Sequence, residues 1–93
     1  MRSRSAPYWY VTQQIERQIY TRERQLRDER VLNYIIKCPG PVSVKEVRLE
    51  LGLSFKQAIE SLARNEYFGV VLHRQTSKWN GQHWIYPHEF WAT

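Results

Sequence analysis

The chain has little cysteine and no long apolar run. Cys38 is the only cysteine among 93 residues, so no disulfide can form within the chain and no second thiol can complete a cysteine-rich metal site. No stretch approaches the roughly 18 to 20 apolar residues that span a bilayer, and Met1 to Tyr10 lacks the apolar core of a signal peptide. These absences predict a cytoplasmic protein in a reducing compartment, with no membrane as partner.

The sequence also lacks the motifs of catalysis and of cofactor binding. It has no glycine-rich phosphate loop, no Gly-x-Ser-x-Gly and no close carboxylate pair beyond ordinary helix charges. The spacing of His73, His83, His88 and Cys38 is not the short spacing that brings metal ligands together. We therefore expect no enzyme activity, no cofactor and no metal site, and we interpret Cys38 as a structural residue.

Basic side chains are in excess. The chain has 14 Lys and Arg against 9 Asp and Glu, which gives a net charge of +5. This balance favours acidic partners, and nucleic acid first among them. The length suits a single domain. A domain this small buries only about 60 to 65% of its unfolded surface, so association of two copies into a homodimer would add stability.

Two segments are predicted to precede the main domain. Residues 1–11 form a flexible basic and aromatic arm whose arginines could reach a phosphate backbone. Residues 12–27 form a helical extension with Ile15, Ile19 and Leu26 on its apolar side. The charged residues that follow Tyr20 fit either a solvated helix surface or a phosphate-facing stripe of Arg17, Arg24 and Arg27.

Residues 28–87 have the pattern of a compact domain that begins with two short helices. The first presents Val31, Leu32, Ile35 and Ile36 to the core and ends at Cys38-Pro39-Gly40-Pro41, where helical hydrogen bonding cannot continue. The second begins with a capping box of Ser43 and Glu46 and ends at Gly52, which is predicted to be left-handed. Its predicted buried residues are Val44, Val47, Leu49 and Leu51.

A third helix, capped by Ser54, is followed by a β-hairpin. The helix is predicted to bury Phe55, Ala58, Ile59 and Leu62 and to expose Lys56, Gln57, Glu60, Ser61 and Arg64. The hairpin is predicted to pair a strand from Val70 with a second strand at 82–86, and Asn80-Gly81 indicates a turn between them. Residues 88–93 are left as an aromatic tail.

This order of elements resembles a winged helix-turn-helix domain. The segment SVKEVRLELGLS at 43–54 looks like the first helix and turn of bacterial regulators, and NEYFGVV at 65–71 looks like the exit from their recognition helix. The segment GQHWIY at 81–86 resembles the last strand of small PapI/FaeA-like plasmid and phage regulators, and the pattern is also similar to MarR-like proteins. The resemblance implies an α+β fold of three core helices and a C-terminal hairpin wing, with an extra N-terminal helix.

The resemblance also implies a DNA-binding transcriptional regulator, with double-stranded DNA as its partner. The recognition helix 54–66 would enter the major groove and the wing 70–86 would lie on the backbone. Carried over by position, the DNA-binding candidates are Ser54, Lys56, Gln57, Glu60, Ser61 and Arg64 on the helix and Arg74, Gln75, Ser77, Lys78 and Asn80 on the wing.

A protein-binding winged helix is the alternative, for example a phage or mobile-element factor that captures a host protein. It is motivated by Glu60, which would repel phosphate unless it accepts a hydrogen bond from cytosine, and by the 14% aromatic content. Trp79 would then be an anchor, although it could equally stack on bases or pack against the domain. The simpler interpretation of Trp84 and Trp91 is that they pack over the core.

Overall fold

The computed structural model describes Val11, Gln14, Ile15 and residues 18–93. This part of the chain is a small α+β fold in which three long helical segments pack against an antiparallel sheet. The predicted arm at 1–11 lies outside the described residues except for Val11, and so does much of the predicted extension at 12–27. Val11, Gln14 and Ile15 have helical backbone, and Ile15 is buried.

The first long helix, α1 (Arg22–Lys37), begins within the predicted extension at 12–27. The predicted extension at 12–27 is not continuous, because residues 18–21 are not helical and α1 crosses the expected boundary between residues 27 and 28. Thr21 explains the break, since its hydroxyl accepts a hydrogen bond from the Arg24 amide at 3.2 Å and so caps a new helix. The predicted end at the Pro-Gly-Pro segment is confirmed.

A short strand and two helices follow, and local hydrogen bonds set their ends. Strand β1 (Val42–Ser43) leads into α2 (Val44–Leu51), where the predicted capping box of Ser43 and Glu46 is present. Gly52 ends α2 with a φ of 66°, the left-handed conformation predicted for it. Helix α3 (Phe55–Tyr67) begins with a second capping box, which Ser54 forms with Gln57.

The sheet is built from β1, β2 (Val71–Gln75) and β5 (His88–Ala92), in the order β1-β5-β2. A separate two-stranded ribbon, β3 (Lys78–Trp79) and β4 (Trp84–Ile85), lies between β2 and β5 in the chain. The predicted partner of the first hairpin strand was therefore wrong. Residues 88–92, expected to be a tail, pair with both β1 and β2 as the central strand of the sheet.

Phe90 accounts for this register. Its side chain is fully buried, and its backbone lies opposite both Val42 and His73. An aromatic side chain at this position fills the space between the helices and the sheet, whereas residues 82–86 offer no comparable buried side chain. Pro87, which cannot donate a backbone hydrogen bond, separates β4 from β5.

The core lies between the inner surfaces of the helices and the sheet. Its buried members are Val31, Ile35, Val42, Val47, Ala58, Ile59, Leu62, Val71 and Phe90. Three residues predicted for the core, Ile36, Leu49 and Phe55, are instead exposed by 59%, 63% and 54%. The buried apolar stripe of each helix is therefore narrower than the sequence suggested.

Replacing Phe90 by alanine is expected to lower the free energy of unfolding by about 3–5 kcal/mol, because a large buried side chain leaves a cavity in the core. Chemical denaturation of the intact chain measures this change. Tyr86→Ala is the matched control, since Tyr86 is 58% exposed and its loss should change the free energy by no more than about 0.5 kcal/mol. Equal effects of the two substitutions would contradict the central position of β5.

Candidate functional site

The side chains of α3 that were predicted to contact DNA divide into an exposed group at the start of the helix and a buried group in its middle. Ser54 and Lys56, at the start of the helix, are exposed. Gln57 and Glu60 are half-buried, and Gln57 also accepts the Ser54 amide in the capping box. Ser61 and Arg64 are 0% and 2% exposed, so the prediction that they face outward was wrong.

A buried polar network explains the inward turn of Ser61 and Arg64. The Arg64 guanidinium donates from Nε to Asp28 Oδ2 at 2.8 Å and from Nη2 to Asp28 Oδ1 at 2.9 Å, which is a bidentate ion pair between α3 and α1. Ser61 Oγ donates to the same carboxylate at 2.7 Å. Asn65 Nδ2 donates to the backbone carbonyl of Asp28 at 3.2 Å, and Arg64 Nη1 reaches Gln18 Oε1 at 3.1 Å.

Spacing within α1 is the one signal that could have located this network. Asp28 precedes Val31 by three residues and Ile35 by seven, so it shares their buried side of the helix. Asp28 also lies within the charged run that follows Tyr20, which hides this spacing. A carboxylate on a core-facing stripe needs a buried cation or several donors, and Arg64 with Ser61 supplies both.

The outer side of α3 is accessible mainly at its two ends. Helical spacing places Lys56, Glu60, Ala63 and Tyr67 on one stripe opposite the core. Lys56 and Tyr67 are exposed, Glu60 is half-buried and Ala63 is fully buried. A ligand that approaches this stripe therefore meets the two ends of α3, at Lys56 and at Tyr67, rather than the whole length of 54–66.

Helix α2 adds a basic edge that the sequence reasoning missed. Lys45, Arg48 and Leu49 are exposed and fall on one side of the helix, while Glu46 and Glu50 fall on the other. The sequence prediction for α2 concerned only its buried side. Helical spacing of the remaining residues also separates the basic side chains from Glu46 and Glu50, so this edge was predictable from the sequence.

Three of the predicted wing residues hold the shape of the hairpin. Arg74 Nε donates to Glu89 Oε1 at 3.1 Å, and its guanidinium lies 5.5 Å from the centre of the Trp91 ring. Gln75 Nε2 donates to the Tyr86 carbonyl at 3.1 Å. The side chain of Asn80 accepts the amides of Gln82 and His83, each at 2.9 Å. Ser77 and Lys78 are exposed.

The ribbon carries an exposed aromatic pair. Trp79 and Trp84 lie directly opposite each other in β3 and β4, and their rings meet edge to face with centres 5.7 Å apart. Each side chain is more than half exposed, and so is that of the nearby Tyr86. Packing of Trp84 over the core is therefore wrong. Trp79 is also exposed, so it is available for contact with a partner.

Histidines lie close together at the other end of the hairpin. His73 Nδ1 and Glu66 Oε2 are 2.8 Å apart, and the rings of His73 and His88 are centred 5.1 Å apart. Among the residues that the structure describes, no group of three or more His, Cys, Asp or Glu side chains could hold a metal ion. Burial lowers the pKa of His88, the neighbouring His73 lowers it further, and Glu66 acts in the opposite direction.

A cavity of about 610 Å³ opens beside the C-terminal end of α1, and no residue of α3 lines it. Its lining includes Ile36, Cys38, Arg74 and Trp91. A hydrogen bond between the Tyr34 hydroxyl and Cys38 raises the pKa of Tyr34 to about 12. Cys38 itself is a half-buried free thiol.

In the described part of the chain, no helix combines the length and the apolar character needed to cross a membrane.

Arg64→Ala is expected to lower the free energy of unfolding by about 3–5 kcal/mol, because it leaves the Asp28 carboxylate buried without its cation. Denaturant titration measures the loss. Lys56→Ala, an exposed cation on the same helix, serves as the control and should stay within about 0.5 kcal/mol of the parent. If both variants unfold at the same denaturant concentration, Arg64 is not a structural residue.

The lowered pKa of His88 predicts a loss of stability in acid. The folded state binds a proton at His88 less readily than the unfolded state does, so the free energy of unfolding should fall as the pH drops through about 6.5. Unfolding curves at pH 7.5 and pH 5 test this. His88→Gln should flatten the pH dependence, whereas His83→Gln, at an exposed position, should leave it unchanged. An unaltered profile in His88→Gln would contradict the assignment.

The chain was compared with protein-family models, with curated proteins and with solved structures. None of the three comparisons finds a significant match. The arrangement of the described residues is therefore the ground on which any function has to be argued.

Proposed function

We propose that this chain is a DNA-binding regulator of the winged helix-turn-helix type. The order of elements supports the assignment: helix, strand, two helices joined by a short turn, and then two long strands with a ribbon between them. In the sheet, the last strand lies between the first two, so the hairpin extends from the same core that α3 packs against. This order of elements is compatible with a domain in which a helix and a wing reach DNA together.

The exposed first turn of α3 is the observation that carries the proposal. In a helix-turn-helix, the N-terminal residues of the second helix meet base edges in the major groove. Ser54 and Lys56 occupy that turn and are exposed. The helix N-terminus also carries partial positive charge, which favours contact with phosphate. The reading surface we propose is therefore shorter than 54–66.

Basic residues are also exposed on α2 and on the ribbon. Lys45 and Arg48 are exposed on one side of α2, the helix that crosses the DNA backbone in this type of domain. Lys78 is exposed at the start of the ribbon. In the proposed complex these three side chains contact phosphates and set the orientation, while Ser54 and Lys56 meet the bases.

A homodimer belongs to the same proposal. One short helical turn can contact only a few base pairs, which is too little sequence for a specific site. Two copies that place their α3 helices about 34 Å apart would read two half-sites one turn of DNA apart. The operator would then be a palindrome.

A protein-binding winged helix is the second candidate, and the exposed Trp79, Trp84 and Tyr86 favour it. It differs from the first in its response to salt. An apolar contact made by these rings depends only weakly on ionic strength, whereas phosphate contacts weaken steeply as salt rises.

Fluorescence anisotropy with a labelled pool of random duplexes tests the proposal directly. The affinity should fall with salt along a log–log slope of about −0.9 per phosphate contacted, and selection of bound duplexes should enrich one motif. Arg48→Ala should weaken binding to all sequences about equally and reduce the slope by about 1, whereas Lys56→Ala should weaken binding to the selected motif and relax its sequence preference. Lys37→Ala, an exposed cation at the far end of α1, is the control and should change neither. Absent or salt-insensitive duplex binding would refute the proposed function.

A further inference from the structure

We propose that the ribbon of β3 and β4 is a stacking platform for unpaired nucleotides. In this account the chain prefers DNA in which a few unpaired bases adjoin the duplex. The inference deepens the proposed function, on which it rests for the duplex part of the site, and it adds a substrate class that duplex reading by α3 does not require.

The geometry of the tryptophan pair is the first support. Trp79 and Trp84 are directly opposite in the register of the ribbon, so both rings lie on the same side of it. Such a cross-strand aromatic pair stabilises a hairpin, which gives it a structural role. That role does not use the outward ring surfaces, and more than half of each side chain remains exposed. Two exposed aromatic rings held side by side can stack against a further planar group.

Charge identifies the kind of planar group. The ribbon and its flanks, residues 76–87, contain Lys78 and His83 but no aspartate or glutamate, whereas His73 nearer the sheet lies against Glu66. Lys78 adjoins Trp79, and the exposed His83 adjoins Trp84. The carboxylate of Glu89 lies at the base of the hairpin, where it is paired with Arg74. Two exposed rings beside a lysine, on a ribbon without carboxylates, are complementary to a polyanion that carries aromatic bases, which describes a nucleic acid strand.

Several hydrogen bonds hold the platform in place. The turn of the ribbon is fixed by Asn80, whose side chain accepts two backbone amides, and by Gly81 with a φ of 99°. Nearer the sheet, the Thr76 amide donates to the Pro87 carbonyl at 2.9 Å. A surface ordered before binding loses little conformational freedom when a ligand arrives. Bases inside a duplex are already stacked on one another and must be unstacked before a ring can contact them, so unpaired bases are favoured.

The experiment compares three labelled duplexes of one sequence by anisotropy: a blunt duplex, the same duplex with a short thymidine overhang, and the same overhang built of abasic sugar phosphates. The intact chain should bind the thymidine overhang about tenfold more tightly than the blunt duplex, because stacking on each base is worth a factor of this order or more. The abasic overhang should give much less gain, since it offers charge without rings. Equal gains from the two overhangs would overturn the proposal.

Conservative variants separate stacking from folding of the ribbon. Trp79→Tyr keeps a ring and should retain the gain, whereas Trp79→Leu keeps an apolar side chain and should lose it. Lys56→Ala should weaken binding to every duplex while preserving the ratio between overhang and blunt forms. If Trp79→Leu also preserves the ratio, the rings do not stack on bases and the proposal fails.

The two claims fail in different ways. Tight, salt-dependent binding of the blunt duplex with no gain from the overhang would overturn the stacking platform and leave the proposed function standing. Binding of the thymidine strand alone, with no binding of blunt duplex, would refute the proposed function and support the platform.

Discussion

The buried ion pair between Asp28 and Arg64 determines how α3 can be used. Its two charged hydrogen bonds join α1 to α3, and Ser61 and Asn65 add further contacts to the same residue on α1. Burying two charges costs several kcal/mol of desolvation for each, so the pair holds only because the carboxylate is bonded on both oxygens. The orientation of α3 follows from it. The polar side chains of the middle of the helix turn inward, and the first turn and the C-terminal end at Tyr67 are left as the accessible parts.

The hairpin between β2 and β5 has a base fixed in the sheet and an exposed tip. Phe90 anchors the central strand in the core, and β2 and β1 pair on either side of it. The chain between β2 and β5 then extends beyond the core as a hairpin that ends in the tryptophan ribbon. Polar residues first assigned to contact with DNA, such as Arg74 and Asn80, hold this hairpin together. Exposed lysines and aromatic rings remain for a partner.

Local signals made the helix ends predictable from the sequence. A capping box at Ser43, a left-handed glycine at Gly52 and a break at Pro39 each depend on a few adjacent residues, and all are present. The candidate site was harder to predict because its determinants are distant. Arg64 turns inward and pairs with a carboxylate 36 residues earlier in the chain, and the sequence pattern of α3 alone does not predict that pairing. The strand at 88–92 displaced the one expected at 82–86 because Phe90 fits the core, which is a property of the assembled fold.

A nuclear magnetic resonance titration of the intact chain with a selected duplex tests the central claim most directly, because it reports where the DNA lies. The account predicts that the amide signals of Ser54 to Gln57, of Lys45 to Leu49 and of the ribbon at 78–85 shift together as duplex is added. Signals at Ile35 to Cys38, beside the cavity, should remain in place. Shifts confined to the cavity region, or no shifts at all, would contradict the proposal that the first turn of α3 contacts DNA.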